Sequence, residues 1–267
     1  MTTQIVHLNG SPATAGQLAP FAFAGYAHFT AMQVRSRSVR GLDRHLARLH
    51  GASDEMFDHH LPDETIREYL RAAIDAGPPD SSVTAFVASR PGEFMPAETP
   101  ADLDVLVRVS APADPPSGPL RLDVVTHERV LPHVKHVGEI AKTLFLREAN
   151  SRGFDDAAFA DRSGRLSEAT IWNLAFWDGQ SVIWPQAEVL TGITMQILGR
   201  QLTARGVPQL TREIRPEDLT ARMSAVVMNS WTPAILVASV GERLLAVDPG
   251  FAALLHQAYQ DEPALRV

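Results

Sequence analysis

The chain has no cysteine and only two lysines, Lys135 and Lys142, among 267 residues. Without cysteine there is no disulfide, no thiolate zinc site and no cysteine nucleophile. No apolar run approaches the roughly 20 residues of a membrane span. The first ten residues lack a basic stretch followed by an apolar one, the pattern of an export signal. Positive charge is also in deficit. The formal net charge of −7 weighs against a general nucleic-acid or anionic-membrane binder. A Gly-x-Ser-x-Gly elbow and a P-loop are both missing. These absences lead to the expectation of a cytoplasmic protein with no nucleic-acid or membrane partner. What is there is ordinary globular material: 45% hydrophobic and 21% charged residues, enough for one large domain or two smaller ones.

The scarcity of lysine poses a chemical question. Twenty-two arginines carry nearly all the remaining positive charge. Arginine stays protonated, whereas a partly buried lysine amine can lose its proton and form a Schiff base with an aldehyde. A GC-rich genome also favours arginine over lysine. Usage alone therefore leaves a surface role open for both lysines.

Periodicity gives a mixed α and β chain. Gln4 to Leu8 reads as a strand ending at Asn9-Gly10, and Phe29 to Val34 as another. Leu42, Leu46 and Leu49 recur at helical spacing. Asp63 is placed to cap a helix carrying Ile66, Leu70 and Ile74, stopped at Gly77-Pro78-Pro79. Val83 to Ala88 and Leu103 to Val109 read as strands. Ala111 to Pro119 contains four prolines, which exclude a helix or central strand. It is expected to link two domains, 1–110 and 120–267. After it come a strand from Leu120, a helix from about Glu139 to Arg152 ended by Gly153, and strands at 157–160, 171–177 and 181–184. Asp178-Gly179 turns between the last two. A helix over 192–204 and strands at 225–228, 235–240 and 244–247 complete the set.

Four separated pieces resemble the fold-type IV pyridoxal-phosphate enzymes, which include branched-chain and D-amino-acid aminotransferases and aminodeoxychorismate lyase. They are His45-Leu46-Ala47-Arg48-Leu49; Val134-Lys135-His136; Gly153-Phe154-Asp155-Asp156 through Gly164-Arg165-Leu166-Ser167-Glu168 to Asn173-Leu174; and Leu190-Thr191-Gly192-Ile193-Thr194. Order and spacing match the family from His45 to Thr194. The resemblance implies a two-domain α/β (α+β) fold, D-amino-acid-aminotransferase-like, with a small α/β domain and a larger domain built on a barrel-like sheet. It implies pyridoxal 5'-phosphate as cofactor, an amino donor and a keto acceptor as substrates, and a homodimer.

The same resemblance suggests roles. Lys135, 21 positions before Asp156, stands where the family's Schiff-base lysine stands; Lys142 lacks a matching context. Glu168 matches the acid that keeps the ring nitrogen protonated, so that the ring serves as an electron sink. Arg48 matches the phosphate arginine, whose fork suits phosphate oxygens. Gly192 opens a helix, where main-chain N–H groups of Ile193 and Thr194 favour an anion; the Thr194 hydroxyl is a further donor. Asn229 and Ser230 resemble a loop beside the phosphate or the substrate carboxylate. Alone, each of these residues reads equally as a solvated surface group or an ordinary helix start.

Some positions depart from the aminotransferase pattern. Gly25-Tyr26-Ala27-His28-Phe29-Thr30 stands where many members carry Gly-Asp-Gly, an aromatic and a glutamate, so Thr30 occupies the glutamate position. Ser89-Arg90-Pro91-Gly92 only approximates a substrate loop. Tyr26, His28, Phe29, Thr30 and Trp172 are candidates to line a pocket, with core or surface roles open. A lyase of the aminodeoxychorismate type is therefore the alternative to a transaminase, and a non-catalytic binding protein on the same fold is a third reading. No metal site is expected. His59 and His60 are adjacent, so their side chains diverge, and His133 and His136 have no carboxylate at ligand spacing.

Overall fold

The structure, a computed structural model, describes residues 4–22, 24–90 and 102–267. Pro91 and Gly92 of the expected substrate loop lie outside the described residues. The chain divides into two compact units. The first holds Met1–Asp114, Val134–Gly138 and Pro263–Val267; the second holds Pro115–His133 and Glu139–Glu262. Ala111 to Pro119 forms no regular element.

The first unit contains β1 (Ile5–Leu8), β2 (Ser11–Pro12), α1 (Ala15–Leu18), β3 (Ala27–Arg35), β4 (Ser38–Arg40), α2 (Leu42–Phe57), α3 (Asp63–Ala76), β5 (Ser81–Ser89) and β6 (Leu103–Ser110). Its strands pair antiparallel. In β3, His28, Thr30, Met32 and Val34 are buried at every second position, the strand period of two. On α2, Leu42, Leu46, Leu49, Ser53 and Met56 make the buried stripe, and this helix packs on β3. Asp63 is the first helical residue of α3 and not its cap. Pro62 takes the cap position with no side-chain bond, leaving Asp63 to favour the helix dipole. Gly77 ends α3 as expected from the sequence.

The second unit contains β7 (Leu120–Thr126), α4 (Ile140–Ser151), β8 (Asp156–Ala160), β9 (Leu166–Ala169), β10 (Asn173–Trp177), β11 (Val182–Pro185), α5 (Ile193–Ala204), β12 (Gln209–Arg212), β13 (Ser224–Asn229), β14 (Thr232–Val240), β15 (Arg243–Leu244) and α6 (Pro249–Asp261). A last strand, β16 (Ala264–Arg266), pairs with β4 in the first unit's sheet, whose order is β16-β4-β3-β5-β6-β1-β2.

In the second unit β9 pairs with both β8 and β10. The ring β10-β13-β14-β7-β8-β9 is thereby closed, and β11 and β12 continue beyond β10. The sequence alternates to fill both sides of this barrel-like sheet. Leu174, Phe176, Ala225, Val227, Ile235 and Val237 point to one core. Their neighbours Ala175, Val226, Met228 and Ala234 pack with Leu198 and Leu202 of α5 and Phe251 and Leu255 of α6. In place of the expected strand over 244–247 stands Arg243–Leu244; Ala246 makes a single parallel bridge to Ser224 instead of continuing beside β14. No helix among the described residues is long and apolar enough to cross a membrane.

Candidate active site

In the first unit, Lys135 sits on a short extended segment held against β3. Phe29 N–H donates to the Lys135 carbonyl at 2.8 Å, and Val137 N–H donates to the Ala27 carbonyl at 3.0 Å. The lysine backbone is thus fixed on both sides. Its half-buried side chain places Nζ 4.8 Å from the centroid of the Phe29 ring, a cation–π approach. Phe29 in turn stacks on Phe86 at 5.2 Å. Among the first unit's pocket candidates, Phe29 thus lies against the lysine.

His28 and Thr30 lie on the other face of β3, by the strand's period of two. Both are fully buried. His28 Nε2 is 2.9 Å from Ser53 Oγ, and Thr30 Oγ1 is 2.6 Å from His45 Nδ1. The Thr30 hydroxyl and one His28 nitrogen are thus committed to α2, while His28 Nδ1 is buried with no hydrogen-bond partner among the described residues. Tyr26 is 44% exposed, with its hydroxyl donating to the Met56 carbonyl. Arg48 follows His45 by three positions on α2 and is half-buried.

Burial lowers the pKa of His28 to about 4 and that of His45 to about 3, with Arg48 adding to the second effect. Both imidazoles are therefore neutral in the folded protein. An unfolded histidine takes up its proton near pH 6.5. Stability is complete above that pH and is lost as pH falls toward the folded values, by about 1.4 kcal/mol per histidine per unit. A urea midpoint at pH 5.5 is expected to correspond to about 2–3 kcal/mol less stability than at pH 7. A flat profile between pH 7 and 5 would contradict the buried neutral state.

In the second unit, Glu168 on β9 is 4% exposed. Arg129, whose side chain is 3% exposed, approaches it at 3.4 Å and also pairs with Glu139 at 2.8 Å. A buried carboxylate next to a buried guanidinium is the arrangement that keeps charge inside a protein. Lys142 on α4 has its pKa lowered by burial, an effect that Glu168 opposes. Nothing in the sequence marks Arg129 out from the other arginines; only the fold makes it the partner of Glu168.

Across from Glu168 in register lies Asn173 on β10. Its amide donates to the Leu190 carbonyl at 2.7 Å. A Cβ on Gly192 would fall 2.0 Å from Asn173 Oδ1, so this close approach requires glycine. Gly192 precedes α5 without a side-chain cap, which leaves the helix's first N–H groups for another acceptor. The Thr194 hydroxyl donates to the Asn229 carbonyl at 2.8 Å. Asn229 Oδ1 accepts from the Trp231 N–H at 2.8 Å, and Ser230 beside it is half-buried. Glu168, Asn173, Gly192, Thr194 and Asn229 are thus linked through the ends of β9, β10, α5 and β13.

Trp172 is 3% exposed, and its indole N–H donates to Asp156 at 2.9 Å. Thr170 donates to the same carboxylate at 2.7 Å. Burial pushes the Asp156 carboxyl up, against the pull of these hydrogen bonds. Asp156 and Trp172 therefore brace the turn that follows Glu168.

The model of the family described as amino-transferase class IV matches residues 27–240. The chain belongs to the class IV amino-transferase family. Solved structures agree on the fold. The branched-chain aminotransferase of Thermoproteus uzoniensis, solved with norvaline, aligns over 97% of this chain and 94% of its own, with TM-score 0.81 and 18% identity. A 4-amino-4-deoxychorismate lyase from Pseudomonas aeruginosa covers 96% and 99%, with TM-score 0.77 and 22% identity. A hypothetical aminotransferase from Mycobacterium tuberculosis in its PLP-bound form covers 97% and 98%, with TM-score 0.80 and 18% identity. Comparison with curated proteins finds no match. The class IV match spans Arg48, Lys135, Glu168, Gly192 and Asn229 alike.

Proposed function

We propose that this class IV amino-transferase is a pyridoxal-phosphate-dependent transaminase acting on an amino acid or amine with a keto acceptor. Family membership across residues 27–240 carries the reading. The uncapped start of α5, with a glycine that Asn173 crowds, fits a phosphate. When bound, the cofactor supplies an aldehyde for an amino group and a ring that stores the electron pair released at the substrate carbon.

In this reading the Lys135 amine would hold the cofactor through its aldehyde and would be the group that moves the proton at the substrate Cα. Glu168 holds the proton on the ring nitrogen, and the buried Arg129 keeps that carboxylate in place. Arg48 and the N–H groups of Ile193 and Thr194 bind the phosphate. The Thr194 hydroxyl, already donating to Asn229, shapes the turn, and Ser230 adds a donor beside it. Phe29 lies against the Lys135 amine, His28 and Thr30 fasten α2 to β3, and the buried Trp172 supports the turn after Glu168 through Asp156. The reading includes a cytoplasmic homodimer. Ile140 and Leu144, one turn apart on α4 and 86% and 50% exposed, support a subunit contact there.

A single turnover with amino donor alone tests the reaction type. A transaminase releases one equivalent of keto acid per site and then aminates an added keto acid. Pyruvate released from aminodeoxychorismate, with no such half-transfer from any amine, would assign the lyase instead. Replacing Arg48 by alanine is expected to weaken cofactor affinity about tenfold to a hundredfold. That is the value of a charge-assisted hydrogen bond, roughly 1.5–3 kcal/mol. Unchanged affinity would leave Arg48 a surface residue.

A further inference from the structure

The end of α2 gathers three metal-ligating side chains that the reaction does not use. His50 and Asp54 are four residues apart on the helix and share a face. Asp58 then turns the chain through a left-handed conformation, φ 54°. That turn folds the following segment back, so that His60 returns to the helix's last turns. His50 Nε2 lies 3.4 Å from Asp54 Oδ2, and His60 Nδ1 lies 2.6 Å from Asp54 Oδ1. One ligand atom from each residue falls within 4.8 Å of the other two. The two imidazole rings are in contact, centroids 3.3 Å apart and planes tilted by 33°.

We propose that His50, Asp54 and His60 form a binding site for a borderline transition-metal ion, zinc above all. Two ligands on a tetrahedral zinc with bonds of about 2.0–2.1 Å stand about 3.3–3.4 Å apart. His50 and Asp54 already hold that separation. The shorter His60–Asp54 distance is a hydrogen bond, and a metal ion takes the place of the shared proton. Two imidazoles and one carboxylate suit zinc, nickel or copper and not calcium or magnesium, which prefer oxygen donors. Leu46, Leu49, Leu61 and Ile66 line the small hollow beneath the imidazoles. Solvent reaches the outer side, since the three side chains are 37–49% exposed. Water completes the coordination there. His59 is not one of the three: its ring stacks on that of His60 at 6.3 Å, where the sequence led to the expectation that the adjacent side chains diverge. The bound ion would staple the exit of α2 to the segment that leads into α3.

Isothermal titration of the cofactor-loaded, full-length protein with zinc chloride tests the site. One equivalent per chain is expected. His50→Ala and His60→Ala should each weaken binding at least about tenfold, since even removing an outer-shell partner costs 10- to 100-fold. His59→Ala should bind as the parent does. The substituted side chains are partly exposed, so the apo variants should unfold at the parent's urea midpoint, and only the zinc-induced rise should disappear. Zinc at about 100 times its Kd should shift the parent's unfolding equilibrium about 100-fold. Absence of zinc binding, or equal affinity in a His50→Ala/His60→Ala double variant, would overturn the assignment.

Discussion

Lys135→Ala is expected to reduce turnover by about 10²- to 10⁴-fold, the range for removing a positioned proton-transfer group. It should also remove the site of borohydride trapping. The backbone at residue 135 is pinned to β3 by its carbonyl and by the Val137 N–H. Neither bond involves the side chain, so the variant should fold. Lys142 is the competing candidate, with burial lowering its pKa. Borohydride reduction, digestion and peptide mapping separate the two. A label on the peptide carrying Lys142, or full activity in Lys135→Ala, would refute the role given to Lys135. The prediction concerns one lysine amine among only two in the sequence, which makes the mapping between them unambiguous.

Gly192→Ala is expected to destabilise the protein by about 2–4 kcal/mol and to weaken cofactor affinity with it. The backbone is not the obstacle. Gly192 has φ −61° and ψ 147°, which alanine adopts freely. The added methyl would instead meet Asn173 Oδ1 at 2.0 Å and Asn173 Cγ at 3.2 Å. Asn173 is buried, its amide bound to the Leu190 carbonyl, and it sits in register with Glu168. It cannot yield without breaking a buried hydrogen bond or disturbing the strand pair that carries the acid. A double-mutant cycle checks the cause. Asn173→Ser, shorter by one atom group, should be less damaging in the Gly192→Ala background than in the parent. Additive effects of the two substitutions would place the damage elsewhere.

Much of the fold follows from local chemistry. Glycine and proline punctuation ended α3 at Gly77 and α4 near Gly153. Alternation of Leu120, Leu122 and Val124 marked β7, and β3, β5, β6 and β13 also read as strands. Of the elements that the sequence left unread, α6 and β9 escaped for different reasons. Helix α6 had its signals in the sequence: Asp248 caps it, Pro249 opens it, and Phe251, Leu255 and Ala258 bury at helical spacing. The nearly continuous apolar run there masked the period. Strand β9 is four residues long, too short for a period to show, yet it closes the ring of strands by pairing on both sides.

By itself the sequence determined the family. Lys135, Glu168, Arg48 and the Gly192 turn keep family order and spacing, and those are linear properties. It also excluded thiol chemistry through composition alone. The tertiary structure decided which polar groups meet. It set Arg129 against Glu168, Asn173 against Gly192, and His28 and Thr30 against α2 and away from Phe29. It also brought His60 back to His50 and Asp54. The physical reason is that hydrogen bonds and ion pairs act over about 3 Å, and chain folding brings partners from distant positions within that reach. Sequence spacing records such meetings only within one helix or strand, as with His50 and Asp54; across elements, strand register and the turn at a helix end make the choice.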